Sequence, residues 1–324
     1  MTATPALVPA PLVATALVLG AAPWWVGAVG LYPYLALEIV IWMTFALGYN
    51  LLLGQGGLPS FGHGAFFGVG AYAFGLALKG GVGLWGSFFL GVAAAAAAGA
   101  VVGAFISHRR GIYYALLTIA FGQVFWFVAI KWHTVTGGED GLLNIKRPAL
   151  VASNEALHFF ALGAFVLVAL VLWRLAHSPY GRVLGAIKQN EERAAFAGYN
   201  TWLYKWSAFT VSCAVAGVAG ALFALAQQSA YPNVMGLHQS GFVVMMVLVG
   251  GGLVSFWGPV VGAAFFLLAR DLLGAYTETW LLWYGLVFMA MVLYKPEGIV
   301  GIWRDAILKW RERRVASARQ HRAA

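Results

Sequence analysis

Charged side chains are scarce in this chain: Asp, Glu, Lys and Arg together make up 10% of its 324 residues. A soluble domain carries about 25%. So little charge cannot cover a water-facing surface of this size, which excludes an ordinary soluble fold. Cysteine is nearly absent as well. The lone Cys213 rules out an intrachain disulfide framework and a cysteine-cluster metal site, and its apolar surroundings predict a small buried residue. No Gly stands directly before a Lys, so the Gly-Lys-Ser/Thr phosphate loop is missing. There is no His-Glu-x-x-His pair and no Gly-x-Ser-x-Gly elbow. The 7 histidines fall singly along the chain. Nothing points to a cofactor or a metal held by this chain. The N-terminus has no basic stretch before its first apolar run, so that run reads as a retained helix and not as a cleaved signal.

What is present is apolar. Hydrophobic residues make up 61% of the chain, and Gly is frequent at 41 residues. Small residues let helices approach closely inside a bilayer. About 20 apolar residues cross the hydrocarbon core as a helix. About ten stretches qualify in whole or in part. They cover 11–30, 32–53, 64–79, 85–107, 112–132, 157–175, 206–226, 240–254, 259–275 and 279–294. The third, eighth and ninth are short and are expected to tilt, break or stop partway. The fold class is therefore all-α and polytopic, with a membrane domain over 1–303 and a basic tail over 304–324.

The net charge of +9 follows membrane orientation and does not call for nucleic acid. His108, Arg109 and Arg110 fill one gap between spans. Arg182, Lys188, Arg193 and Lys205 fall in another, and the tail carries Lys295, Arg304, Lys309, Arg311 and further arginines. Ten spans put all three segments on one side. Basic loops stay cytoplasmic, so both termini are expected inside. The tail reads as a short basic helix resting on anionic lipid.

Two Gly-rich breaks echo each other: Gly56-Gly57-Leu58-Pro59-Ser60-Phe61 and Gly251-Gly252-Leu253-Val254-Ser255-Phe256. Each falls near the inner end of an apolar span. Interrupted helices in matching places point to a solute path, with ordinary tight turns as the alternative. Gly56, Gly57, Ser60, His63 and Gly64 are the path candidates, although a lone His63 equally suits packing. Glu38 lies at membrane depth or at the outer interface.

The polar insert after the sixth span is the most informative segment. Ser178-Pro179 marks a helix start. Val183, Ile187, Asn190, Ala194 and Ala197 recur on one helical face, and Gly198 supplies a stop. A short amphipathic helix over 183–198 is predicted on the cytoplasmic surface. A lipid-surface helix and a solvated connector are the plainer alternatives. Its small residues, Ala186, Ala194 and Ala195, suit packing into a groove of another protein.

This insert resembles the ATPase-contacting loop of ABC importer permeases. In the branched-chain amino acid permease family the loop is entered by a segment like Ser178-Pro-Tyr-Gly-Arg182. It ends in a pattern like Asn190-Glu191, Ala194-Ala195 and Gly198. Gly54-Gln55-Gly56-Gly57 through Ser60-Phe61-Gly62-His63-Gly64 and on to Tyr72 is similar to the family's N-terminal signature. Thr136-Gly137-Gly138-Glu139-Asp140-Gly141-Leu142 resembles its outer loop. Gly250-Gly251-Gly252 with Gly258-Pro259, and Lys295-Pro296-Glu297-Gly298, resemble its C-terminal features. The combination is that of the LivM-type branch and covers roughly residues 32–303.

The resemblance implies a type II ABC importer permease in a bacterial inner membrane. It implies a heterodimer with a second, related permease, two cytoplasmic ATPase subunits that hold ATP and Mg, and a periplasmic solute-binding protein. Arg182, Ala186, Asn190, Glu191, Arg193, Ala194, Ala195 and Gly198 would couple to the ATPases. Gly138, Glu139, Asp140 and Gly141 would meet the binding protein or form a gate, unless they only build a structured loop with Asp140 as a cap. The pattern does not separate amino acids from urea or small carboxylates. An ion-coupled secondary transporter would show several paired intramembrane acids, and only Glu38 and Arg270–Asp271 come near. A membrane-embedded enzyme would need clustered His ligands or a nucleophile with its base. A solute-specific channel is the third rival.

Overall fold

Long apolar runs, broken by Gly and Pro and by short polar turns, fold into a helical bundle. The computed structural model describes residues 9–25, 32–295 and 297–305. Its helices are α1 (Ala10–Gly20), α2 (Pro33–Asn50), α3 (His63–Lys79), α4 (Leu84–Ile106), α5 (Gly111–Lys131) and α6 (Asn154–His177). They continue as α7 (Pro179–Gln189), α8 (Glu191–Phe196), α9 (Thr201–Gln227), α10 (Leu237–Gly250), α11 (Gly258–Tyr276) and α12 (Trp280–Tyr294), with short unnumbered helices at Ala22–Trp25, His133–Thr136 and Gly298–Asp305. A π-helical turn, Leu51–Gln55, extends α2. The β-structure among the described residues is one antiparallel bridge, Leu142 with Ala230.

Ten of these helices occupy the ten expected apolar stretches. Six are long and apolar enough to cross a membrane: Tyr34–Gln55, Leu84–Ile106, Gly111–Lys131, Asn154–His177, Thr201–Gln227 and Gly258–Tyr276. A bent pair, Trp280–Tyr294 with Gly298–Asp305, makes a seventh if it is one span. The ninth stretch is longer than expected, because α11 runs for 19 residues. The first stretch ends beyond the described residues, as does the tail after residue 305.

The shortness of α3, at 17 residues, and of α10, at 14, has a common cause. Each begins part-way through the bundle after a buried segment that is not α-helical, which before α10 is the 3-10 turn Pro232–Met235. Ser60 donates its backbone N–H to the Tyr49 hydroxyl at 2.9 Å and Phe61 donates to Thr118 Oγ1 at 3.0 Å. Gly64 donates to Ser240 Oγ at 2.9 Å. Irregular backbone at membrane depth survives only where protein satisfies it, and these bonds do so.

α2 and α9 form the centre and are almost wholly enclosed, whereas α4, α5, α6 and α11 expose most of their length. Lipid gives apolar helices no reason to associate, so close backbone packing must. Glycine permits it here: Gly70 of α3 lies against the backbone of Gly217 in α9, and Gly220 against the Phe67 carbonyl. Any side chain at these positions would part the helices. Interhelical bonds add to this. Ser212 Oγ donates to the Gly48 carbonyl at 2.9 Å, and Trp206 Nε1 to that of Ala100 at 2.8 Å. Each is worth about 0.6 kcal/mol in a bilayer. Arg147 closes the C-terminal end of α9 by donating to the Leu225 and Ala226 carbonyls at 2.9 and 2.8 Å. A cation there also meets the negative end of the helix dipole. Cys213 is fully buried, as its sequence context predicts.

Candidate functional site

The polar insert forms two helices. Pro179 starts α7, with its φ already suited to a first turn, and α7 runs to Gln189. Asn190 then leaves helical geometry at φ −159° and ψ 105° and caps α8, its Oδ1 accepting from the Arg193 N–H at 2.9 Å. Asn200 caps α9 in the same way at 3.2 Å. Asn side chains satisfy the unpaired N–H groups of a first turn. The single stiff helix expected over 183–198 is thus corrected to a pair hinged at Asn190.

One face of the pair turns inward. Val183, Ile187 and Ala194 bury together against Tyr204 of α9. Ala194 therefore packs within the chain. Asn190 and Ala197, expected on the same face, are exposed instead. The hinge at Asn190 breaks the helical phase that placed them there. Arg182, Ala186, Arg193, Ala195 and Gly198 face outward. Phe196 is the most exposed large apolar residue of the segment, at 92%. Sequence periodicity missed it, because it lies off the apolar stripe.

The pair is tied to the bundle by charge. Glu191 bridges Lys205 Nζ at 2.8 Å and Arg110 Nε at 2.9 Å. Lys205, almost fully buried, also donates to the Arg109 carbonyl at 3.2 Å. Glu191 is therefore held by two cations within the chain. Lys188 reaches the other way. Its ammonium donates to the Gly54 carbonyl at 2.7 Å, with the Leu253 carbonyl at 3.5 Å. Partial burial holds this lysine below the ordinary lysine range, because losing water disfavours the charged form.

Gly54 lies in the π-helical turn just before the first Gly-rich break and Leu253 within the second, and the two meet in space. Asn50, fully buried, sits between Gly54 and Gly252 and donates to the Phe256 carbonyl at 3.4 Å. Gly57 takes φ +67° and lies against the Lys188 side chain. Gly56 and Gly57 line a cleft of about 390 Å³ with Arg110, Lys188, Asn190 and Glu191. On its far side Gly251, at φ +89°, packs against Glu297 and Val300. The first two basic segments and the described start of the third, 295 and 297–305, thus gather at one end of the bundle.

The remaining path candidates sit deeper. Ser60 and His63 are fully buried and Gly64 is enclosed. His63 stands among Phe45, Tyr49, Phe66 and Phe209, with Nε2 2.8 Å from Ser212 Oγ. In this conformation Ser60, His63 and Gly64 are enclosed within the bundle. Glu38 is also accounted for. Arg270 Nη1 and Nη2 clasp its carboxylate at 2.8 and 2.7 Å, and Nη2 also meets Asp271 at 3.1 Å.

At the opposite end, the outer loop is clamped. Leu142 and Ala230 exchange backbone bonds at 2.6 and 2.9 Å, and Ile145 donates to the Gln228 carbonyl at 2.8 Å. Gly138 and Gly141 are buried with positive φ, while Glu139 and Asp140 are exposed between them. Among the described residues no group of His, Cys, Asp and Glu is arranged to hold a metal.

The chain matches the family model described as branched-chain amino acid transport system / permease component over residues 31–294. It is 29% identical over 301 residues to the high-affinity branched-chain amino acid transport system permease protein LivM of Salmonella typhimurium. That match covers 84% of this chain and 71% of the relative. The Escherichia coli protein of the same name is 29% identical over 296 residues, covering 83% and 69%. A probable LivM of Methanocaldococcus jannaschii is 23% identical over 319 residues, covering 81% and 92%. No solved structure matches. A chain of several membrane-crossing helices, matched by one family model over most of its length, belongs to the branched-chain amino acid transport permease family.

Proposed function

We propose that this chain is one permease subunit of a type II ABC importer. It forms half of a path for branched-chain or other amino acids across a bacterial inner membrane. A related second permease completes the path, two ATPases that hold ATP and Mg drive it, and a periplasmic binding protein delivers solute. The chain itself is not an enzyme. Both termini and the α7–α8 pair lie in the cytosol, where basic loops belong. Glu139 and Asp140 face the binding protein.

The observation that carries this reading is the linkage of α7–α8. Its outer face carries Phe196, Arg182, Ala186, Arg193 and Ala195 free of contacts that would bury them. Its inner face is joined through Lys188 to both Gly-rich breaks and through Glu191 to α9 and the α4–α5 turn. A push on the outer face therefore reaches the elements that interrupt α2 and α10. Rigid displacement of tethered helices is an established route to alternating access.

An ion-coupled transporter is disfavoured by the same geometry. Its expected acid, Glu38, is clasped by Arg270 and is not a free proton carrier. Import of urea or a small carboxylate by the same architecture is the nearer alternative. The test is uptake by right-side-out vesicles reconstituted with the co-expressed complex, with ATP in the lumen and the binding protein outside. Leucine movement that requires ATP supports the reading. Leucine movement driven by an ion gradient without ATP overturns it.

A further inference from the structure

A second opening lies away from the cleft beneath α7. It has a volume of about 470 Å³ and sits between α5 and the start of α10. Its lining includes Gln123, Trp126, Asn233, His238, Gln239 and Phe242. Its depth follows from packing. Gln123 is about 18 Å along α5 from its basic end, at 1.5 Å per residue, near the middle of a hydrocarbon core of about 30 Å. Its neighbour Gly122 touches Gly62, which directly precedes α3. Gly64 is in turn bonded to Ser240 in the first turn of α10. The starts of α3 and α10 and the middle of α5 therefore share one level.

Gln123, Asn233 and His238 are exposed at that level. None of their side chains has a hydrogen-bond partner among the described residues. The Gln239 amide oxygen is buried and also unpartnered. Unpaired amides and an imidazole facing lipid would cost several kcal/mol. Such a face is expected against water or a partner, not hydrocarbon.

We infer that this cavity is this chain's half of the solute site, with Gln123, Asn233, His238 and Gln239 as its polar contacts. This rests on the importer reading above. The cavity lining contains no carboxylate, ammonium or guanidinium, so it selects no net charge. Amides both donate and accept, which suits an ammonium and a carboxylate together. Trp126 and Phe242 offer apolar faces to an aliphatic side chain. The second permease closes the open side.

Two measurements in vesicles carrying the whole complex test this. Single variants Gln123→Cys and His238→Cys are labelled with a charged, water-soluble methanethiosulfonate. Val124→Cys and Phe127→Cys, exposed on the same helix, are the lipid-facing controls, and native Cys213 is buried. The cavity residues should label about tenfold faster or more, since the reagent needs water, and L-leucine should slow them. Separately, Gln239→Leu should raise about tenfold the L-leucine concentration that half-protects the Gln123→Cys label, the worth of one lost hydrogen bond. Cavity labelling as slow as the controls, or unchanged protection by leucine in the Gln239→Leu background, overturns the assignment. Failure of the wild-type complex to take up leucine with ATP would instead remove the importer reading, and the labelling contrast would still decide whether the cavity holds water.

Discussion

Removing the Lys205 ammonium should unlock the surface helix pair. In Lys205→Met, the Glu191 carboxylate, only 11% exposed, keeps Arg110 but loses its buried partner at 2.8 Å. In Glu191→Ala, Lys205, with a side chain 2% exposed, keeps only the Arg109 carbonyl. Breaking one side of a buried pair costs about 3–5 kcal/mol. Arg110 is half exposed and can turn to water, so the low end applies. At 1.4 kcal/mol per tenfold, 3 kcal/mol raises local opening about 150-fold. The assay is hydrogen exchange at Ala197, Gly198 and Tyr199, whose amides bond within this turn at 3.0, 2.9 and 3.2 Å. The double variant Glu191→Leu/Lys205→Met removes both charges and should restore most of the protection, because the desolvation cost goes with them. Wild-type exchange in the single variants, or a double variant as open as the singles, would refute the reasoning.

Other outcomes follow from the same geometry. Lys188→Met should leave membrane insertion intact and release ATP hydrolysis from solute control, measured as basal ATPase activity of the reconstituted complex. Gly198→Ala meets nothing within 4 Å but needs φ +88°, so it should cost about 1–2 kcal/mol, seen as faster exchange of the same turn. Gly141→Ala has a similar φ of +73° but also meets the Ala230 carbonyl. It should open the outer loop to protease while Gly198→Ala does not. Phe196→Asp removes a side chain that packs on nothing. Thermal stability should stay within about 0.5 kcal/mol of wild type while ATP-driven uptake falls sharply.

The helices were legible because composition and periodicity survive in a bilayer: every apolar stretch became a helix. The grouping of the basic segments was legible too, since they converge at one end through Arg110, Lys188 and Gly251. What escaped the sequence depends on neighbours distant in the chain. Ala194 and Glu191 carry the pattern of an outward contact, yet Tyr204 and Lys205 draw them in. A single turn of Asn190 changes which residues face out, so Phe196 emerged only from the fold. His63 follows a Gly-rich break and looked available, but four aromatic rings enclose it. Gln123 lies within an unbroken apolar run, and nothing local marks its exposed amide as a polar face. The dip of residues 56–62 beside Thr118 is likewise a tertiary fact that spacing does not encode.

The most direct test places p-benzoylphenylalanine at position 196 of the full chain in growing cells and identifies the photoadduct by mass spectrometry. The account predicts a cytoplasmic ATPase carrying a Gly-Lys-Ser/Thr phosphate loop, captured at Phe196 and not at Glu139. An adduct at position 196 with lipid or with an extracytoplasmic protein would contradict it.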